Sequence, residues 1–293
     1  MIKRTIVFTN QCRVSYKNGQ LVIENHETGE QKKTPVEDLG VVLVENQQVS
    51  ITVPAINALS ANNCGVIFCD SKHMPSSMLM SLDSNHIQGE RYREQVEASQ
   101  KLKKDLWKQI IEMKIKNQSS LLIKRERDGA KLKPFYTNIK SGDSDNREGI
   151  AAKIYWDELF GDEFFRSRTE PGPNTLLNYG YSILRAAMAR AIVGSGLSPS
   201  FGLFHKNRYN AFPLADDLME PYRPYVDAVV YQLLLEGKKE LDSEVKQRLL
   251  RVLFVDTVFN DCTRPLEIGL SMTTASLARC FSGEEKGLIL PHF

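Results

Sequence analysis

The sequence predicts an α+β protein: a small strand-rich N-terminal domain over residues 1–72, a linker over 73–89, and a larger all-helical domain over 90–293. Three observations predict this. Alternating or continuous apolar runs punctuated by turn dipeptides fill the first part. A polar stretch with Pro75 and several serines follows it. Beyond it, apolar residues recur every three or four positions.

In the N-terminal part, IVFT, RVSY and LVIEN read as strands, and Asn18-Gly19 supplies the tight turn of a hairpin. Glu27-Thr28-Gly29-Glu30 is a second turn, and LGVVLVEN (39–46) and Gly65–Cys69 have the composition of buried strands. Between them ITVPAINALSANN predicts a short helix, with Pro54 in its first turn and Asn62-Asn63 ending it. No histidine–acid constellation occurs here, so this domain is expected to scaffold or dimerise.

Arg91 to about Ile123 predicts one long helix or two, with Val96, Leu102, Leu106, Ile110, Met113 and Ile115 as the apolar stripe and Asp128-Gly129 as the break. Between Glu90 and Lys133 there are thirteen Lys/Arg against seven Asp/Glu, an excess of six. That excess suits either a solvated helix face or a surface tracking a phosphate backbone. Residues 147–156 predict a helix with Glu148, Ala151, Ala152 and Tyr155 on one face. Asn174 or Thr175 is expected to cap the next helix, which Gly194-Ser195-Gly196 stops. Arg185 and Arg190 lie off its apolar stripe, free to meet phosphate or acids. Two final helices are expected over about Ser243–Phe259 and Thr263–Phe281, followed by an irregular tail.

Composition excludes several classes. With 42% apolar and 25% charged residues the chain is that of a globular protein, and no apolar run approaches the length of a membrane span. The N-terminus has no signal-peptide pattern, and five cysteines without metal-type spacing point to a reducing cytoplasm. A net charge of +2 announces no nucleic-acid partner for the molecule as a whole.

Chemistry concentrates between Gly202 and Asp227. His205, flanked by Leu203 and Phe204, stands ahead of Asp216, Asp217 and Glu220, with Lys206, Arg208 and Arg223 close in sequence. Imidazole and carboxylate are donors for a divalent cation, and neighbouring cations suit an anionic substrate. If the turn is helical, Asp217 and Glu220 share a face. Glu148 is a third candidate, on a face otherwise apolar. The residues alone leave two readings open: a metal site acting on phosphate, or a structural histidine beside acids.

Three segments in fixed order, REGIAAKIYW (147–156), GLSPSFGLFHKN (196–207) and LADDLMEPYRPYVD (214–227), resemble the CRISPR-associated endonuclease/integrase family, the Cas1 proteins of spacer acquisition. The resemblance covers nearly the whole chain, and the glutamate in DLME resembles the type II branch. It implies Glu148, His205 and Glu220 as ligands of Mg²⁺ or Mn²⁺, with Asp217 as a further acid of the catalytic site. It further implies a homodimer, double-stranded DNA (protospacer and CRISPR repeat) as partner, and a Cas2 protein in a heterohexameric complex. Cas9 and a ring-forming accessory protein are expected in addition. The reaction implied joins the 3′-OH of a captured fragment to a phosphodiester at the repeat. A stand-alone metal-dependent nuclease acting on branched or double-stranded DNA is the alternative. Arg185, Lys206, Arg208 and Arg223 are candidates for contacting DNA.

Overall fold

The computed structural model describes residues 4–81 and 85–293. By contacts the chain divides into two units, residues 1–86 and 87–293. Among the described residues, the first holds eight strands, one α-helix and a short 3-10 turn. β1 (Arg4–Phe8), β5 (Leu39–Val44), β7 (Gly65–Cys69) and β8 (Pro75–Leu79) form one sheet in the order β1-β5-β7-β8. β4 (Gln31–Pro35), β3 (Gln20–Asn25), β2 (Cys12–Lys17) and β6 (Ser50–Ile51) form the other, in that order. The expected hairpin is β2–β3, with Lys17 opposite Gln20. Its turn residues Asn18 and Gly19 have φ of 51° and 76°, the left-handed values that favour this dipeptide. Val14, Leu21, Val42 and Val66 share one core with Leu59 of α1 (Val53–Ala61).

The stretch expected as a linker needs correction. Residues 75–79 form β8, an edge strand paired with β7, where a proline costs least. Residues 82–84 lie outside the described set, and a helix has begun by Gln88.

The second unit is helical, in keeping with the predicted fold class. Its elements are α2 (Gln88–Glu97), α3 (Gln100–Lys124), α4 (Lys133–Tyr136), α5 (Arg147–Phe160), α6 (Pro173–Gly194), α7 (Pro213–Leu218), α8 (Arg223–Leu235), α9 (Ser243–Leu250) and α10 (Leu266–Phe281). The long segment after Arg91 is therefore two helices, broken at Ala98-Ser99, where the Ser99 hydroxyl caps α3. Asn174 does not cap α6; its amide oxygen accepts from Ser167 N and Arg166, holding the preceding loop.

The unit is not wholly helical. β9 (Asp256–Phe259) and β10 (Cys262–Pro265) form an antiparallel hairpin turning at Asn260-Asp261, where helical residues were expected. Burial along β9 alternates, with Thr257 and Phe259 inside and Val258 outside, which is a two-residue period rather than a helical one. No helix is long and apolar enough to cross a membrane among the described residues.

α3 is the hub. It packs against α4, α5 and α8, and its buried residues include Leu106, Trp107, Ile110, Ile111 and Leu121. They also include Lys114 and Asn117, two polar side chains at core positions that must find partners. The tail is irregular, as expected, but pinned: Leu288 N donates to Gln109 Oε1 and Phe293 N to Asn117 Oδ1.

Candidate active site

Glu148 stands in the first turn of α5. The entry to that helix is built by Asp143, whose carboxylate oxygens accept from Arg147 N at 2.9 Å and from Glu148 N at 3.1 Å. Two amides that the helix itself leaves without partners are thus capped. The Arg147 guanidinium turns the other way, donating to the carbonyls of Pro134 and Thr137 and to Asp145. As expected, Ala151 and Tyr155, on the face below Glu148, are buried.

Glu220 opens a short 3-10 turn (Glu220–Tyr222) between α7 and α8. Asn117 Nδ2 fixes that turn from α3, donating to Pro221 O at 2.8 Å and to Pro291 O at 3.0 Å. One turn earlier on α3, the Lys114 ammonium lies 2.6 Å from Glu148 Oε1 and 2.5 Å from Glu220 Oε2. Arg223 Nε approaches the other oxygen, Glu220 Oε1, at 3.0 Å. Burial opposes charge on Glu220, but Arg223 and Lys114 outweigh it and hold the carboxyl below its ordinary value. Burial likewise opposes charge on Lys114, and Glu220 and Glu148 more than offset it. Sequence reading missed Lys114. Its signal was position, because it lies seven residues after Trp107 and four after Ile110, on the buried face of α3.

His205 lies in the loop between α6 and α7, which carries no regular structure. Gln95, fully buried on α2, takes its place as a scaffold: its amide donates to Ser198 O and Phe201 O, and Ser198 N donates back at 2.9 Å. Asp217, also fully buried, grips the rest. Its oxygens accept from Leu203 N at 2.6 Å, Phe204 N at 3.0 Å and His205 N at 3.3 Å. The fourth donor is the His205 ring, with Nδ1 at 2.5 Å from Asp217 Oδ1. That bond to a carboxylate favours the proton on Nδ1, so the neutral ring carries its lone pair on Nε2, as in carboxylate–histidine pairs behind metals. It raises the imidazole above its ordinary pKa, while burial pushes Asp217 up. Trp107 stacks on Phe204 at 4.4 Å and meets the His205 ring edge-on at 5.7 Å.

The structure thus brings Glu148 and Glu220 together through Lys114 and ties His205 to Asp217. α7 ends at Leu218, and Glu220 opens the 3-10 turn that follows it. Asp217 backs the histidine, and His205 also lies within the field of Glu220 and Glu148. The remaining candidates divide. Arg185 is committed to Asp216 (2.6 Å) and Asn210 (2.7 Å), Arg190 to Glu267, and Arg223 to Glu220. Lys206 and Arg208 are exposed on the His205 loop.

Behind these groups, Asp227 of α8 accepts from Tyr155 Oη of α5 at 2.7 Å and from Tyr181 Oη of α6. The guanidinium groups of Arg223 and Arg166 lie over the Tyr181 ring, at 4.6 and 5.2 Å.

The donor set suits a hard divalent cation: two carboxylates and an imidazole nitrogen. The point at which the two carboxylates converge already attracts a cation, here an ammonium. Among the described residues no three histidine, cysteine or acidic side chains form a finished metal cluster. The arrangement on hand is a salt bridge built from the ligands such a cluster would use.

A family model, CRISPR associated protein Cas1, matches residues 5–258. The CRISPR-associated endonuclease Cas1 of Neisseria meningitidis serogroup C (strain 8013) is 36% identical over 257 residues, 86% of this chain and 84% of its own. Among solved structures, a casposase bound to integration product superposes with a TM-score of 0.79 at 20% identity, covering 99% of this chain and 93% of the other. A Cas6-RT-Cas1–Cas2 complex gives 0.75 at 19% identity, covering 97% of this chain and 35% of the other. At such identities the two likenesses speak for the fold.

Proposed function

Because the chain belongs to the Cas1 family of CRISPR-associated proteins, we propose that it is a metal-dependent DNA integrase of CRISPR adaptation. It joins the 3′-OH ends of a captured double-stranded fragment to phosphodiesters at the CRISPR repeat. One observation carries this reading: oxygens of Glu148 and Glu220 converge on a single cationic nitrogen, at 2.6 and 2.5 Å, beside a histidine held by its carboxylate. Glu148, Glu220 and His205 Nε2 would hold Mg²⁺ or Mn²⁺, which supplies charge neutralisation at the attacked phosphate and at the 3′ oxygen.

The chain's own residues do the rest. Asp217 keeps the imidazole in the tautomer that presents Nε2. Arg223 holds Glu220 ionised and in place. Lys206 and Arg208, exposed beside His205, offer cations to the DNA backbone, a contact that positions without reading sequence. In the transfer, the 3′ hydroxyl oxygen bonds to phosphorus as the bond from phosphorus to the 3′ oxygen of the target strand's upstream nucleotide breaks. The leaving oxygen gains a proton as the attacking hydroxyl loses one, and no protein–DNA link forms. The Cas1–Cas2 assembly among the structural relatives supports a Cas2 partner.

Strand transfer into supercoiled repeat DNA tests this, with and without divalent cation and Cas2. Glu148→Ala, His205→Ala and Glu220→Ala should each reduce joined product to background while DNA binding persists. Full integration by any one of them overturns the assignment. The relatives' designation as endonucleases favours a second reading, hydrolysis by the same site without joining, and nicked products lacking any junction would select it.

A further inference from the structure

We propose that Lys114 is a positioning residue that a divalent cation must displace: its ammonium assembles Glu148 and Glu220 in the metal-free protein and withdraws from them when metal binds. The inference rests on the metal reading of this site. It starts from a geometric conflict. A metal held by both carboxylates needs an oxygen from each, and Lys114 Nζ sits at 2.6 and 2.5 Å from one oxygen of each. Arg223 Nε faces Glu220 Oε1 at 3.0 Å, so the Glu220 oxygen directed at Glu148's side is Oε2, the one against the Lys114 ammonium. Ammonium and metal therefore compete for one place.

The chemistry of the residue suits the exchange. Lysine carries a compact charge on a flexible four-carbon stem, whereas an arginine fork would lock the two acids. Without a cation between them, two carboxylates directed at one point repel each other. Lys114 removes that repulsion in advance, so the ligands wait in place. The exchange also changes the field of the site. Counted over Glu148, Glu220, Lys114 and Arg223, two negative charges meet two positive ones and the sum is zero. Adding a divalent cation while Lys114 stays close by takes the same sum to +2. Loading thus adds two positive charges to a balanced cluster, which favours an incoming phosphate.

Calorimetric titration of the full chain with Mn²⁺ alone tests the exchange. Lys114→Met should bind Mn²⁺ at least tenfold more tightly than wild type, because nothing has to be displaced, and Lys114→Arg more weakly than Lys114→Met. Metal-free Lys114→Met should melt lower than wild type and gain more in Tm from Mn²⁺. Equal or weaker binding by Lys114→Met overturns the proposal. Should that variant not fold, the wild type decides through the side-chain ammonium resonances of ¹⁵N-lysine-labelled protein, with Lys114 assigned by its loss in Lys114→Arg. Saturating Mg²⁺ should shift or abolish that resonance, and an unchanged one refutes displacement. Glu148→Gln separates the two failures. If it leaves Mn²⁺ affinity unchanged, the metal reading falls; if it weakens Mn²⁺ and Lys114→Met fails to tighten it, displacement alone falls.

Discussion

Asp227 makes the helical unit sensitive to pH in a direction opposite to the usual one for carboxylates. Its carboxyl is buried among α5, α6 and α8, and burial raises its pKa from 3.8 to about 6 despite the Tyr181 and Tyr155 hydroxyls that donate to it. A group whose folded value exceeds its unfolded one contributes its stability below the unfolded value and loses it as pH rises through the folded one. For Asp227 that window runs from about 4 to about 6. A gap of roughly two pH units at 1.36 kcal/mol each corresponds to a loss of about 3 kcal/mol at neutral pH relative to the protonated form. Asp227→Asn removes the titration and retains a polar group able to bond both tyrosines. The assay is urea denaturation at intervals from pH 4 to pH 8, followed by tryptophan fluorescence. Both tryptophans, Trp107 and Trp156, lie in the helical unit, so the signal reports it alone. Wild-type stability should fall relative to the variant as pH rises through the window, then run parallel to it above. Curves parallel throughout the range would refute the reasoning.

Two further outcomes follow from the His205 loop. A Cβ at Gly202 would lie 2.8 Å from His205 O and 3.0 Å from Asp217 Oδ2. Gly202→Ala should therefore cost about 1–3 kcal/mol in denaturant titration and depress strand transfer by shifting His205; wild-type behaviour in both would contradict the packing described. Gln95→Ala removes three hydrogen bonds to Ser198 and Phe201. At about 1 kcal/mol each it should cost about 3 kcal/mol, read by the same titration, with a change under half of that counting against the scaffold role.

Much of this was legible because local rules and tertiary packing agree. Asn18-Gly19 demands left-handed backbone, so the first hairpin could be read from two letters. The face joining Glu148 to Ala151 and Tyr155 followed from helical spacing alone, and the core took it. The failures share a physical cause. Lys114, Asn117 and Gln95 are polar residues in sequences that look solvated, and only partners distant in the chain explain their burial. Asp217 and Glu220, three residues apart, differ in their partners: the His205 loop takes up Asp217, and Lys114 and Arg223 take up Glu220, a division that no local rule assigns. The β9–β10 hairpin was lost because its strands are four residues each, too short for their two-residue period to stand out between helices.

The Asp227 contacts have a bearing on how mutational maps of this protein should be read. One carboxylate rivets the helix that carries Glu148, the helix that Glu220 leads into, and α6 between them. Slackening that rivet from any side misaligns both acids in concert. Inactive variants scattered along α6 would then trace the bracing of these two acids and not a path for DNA.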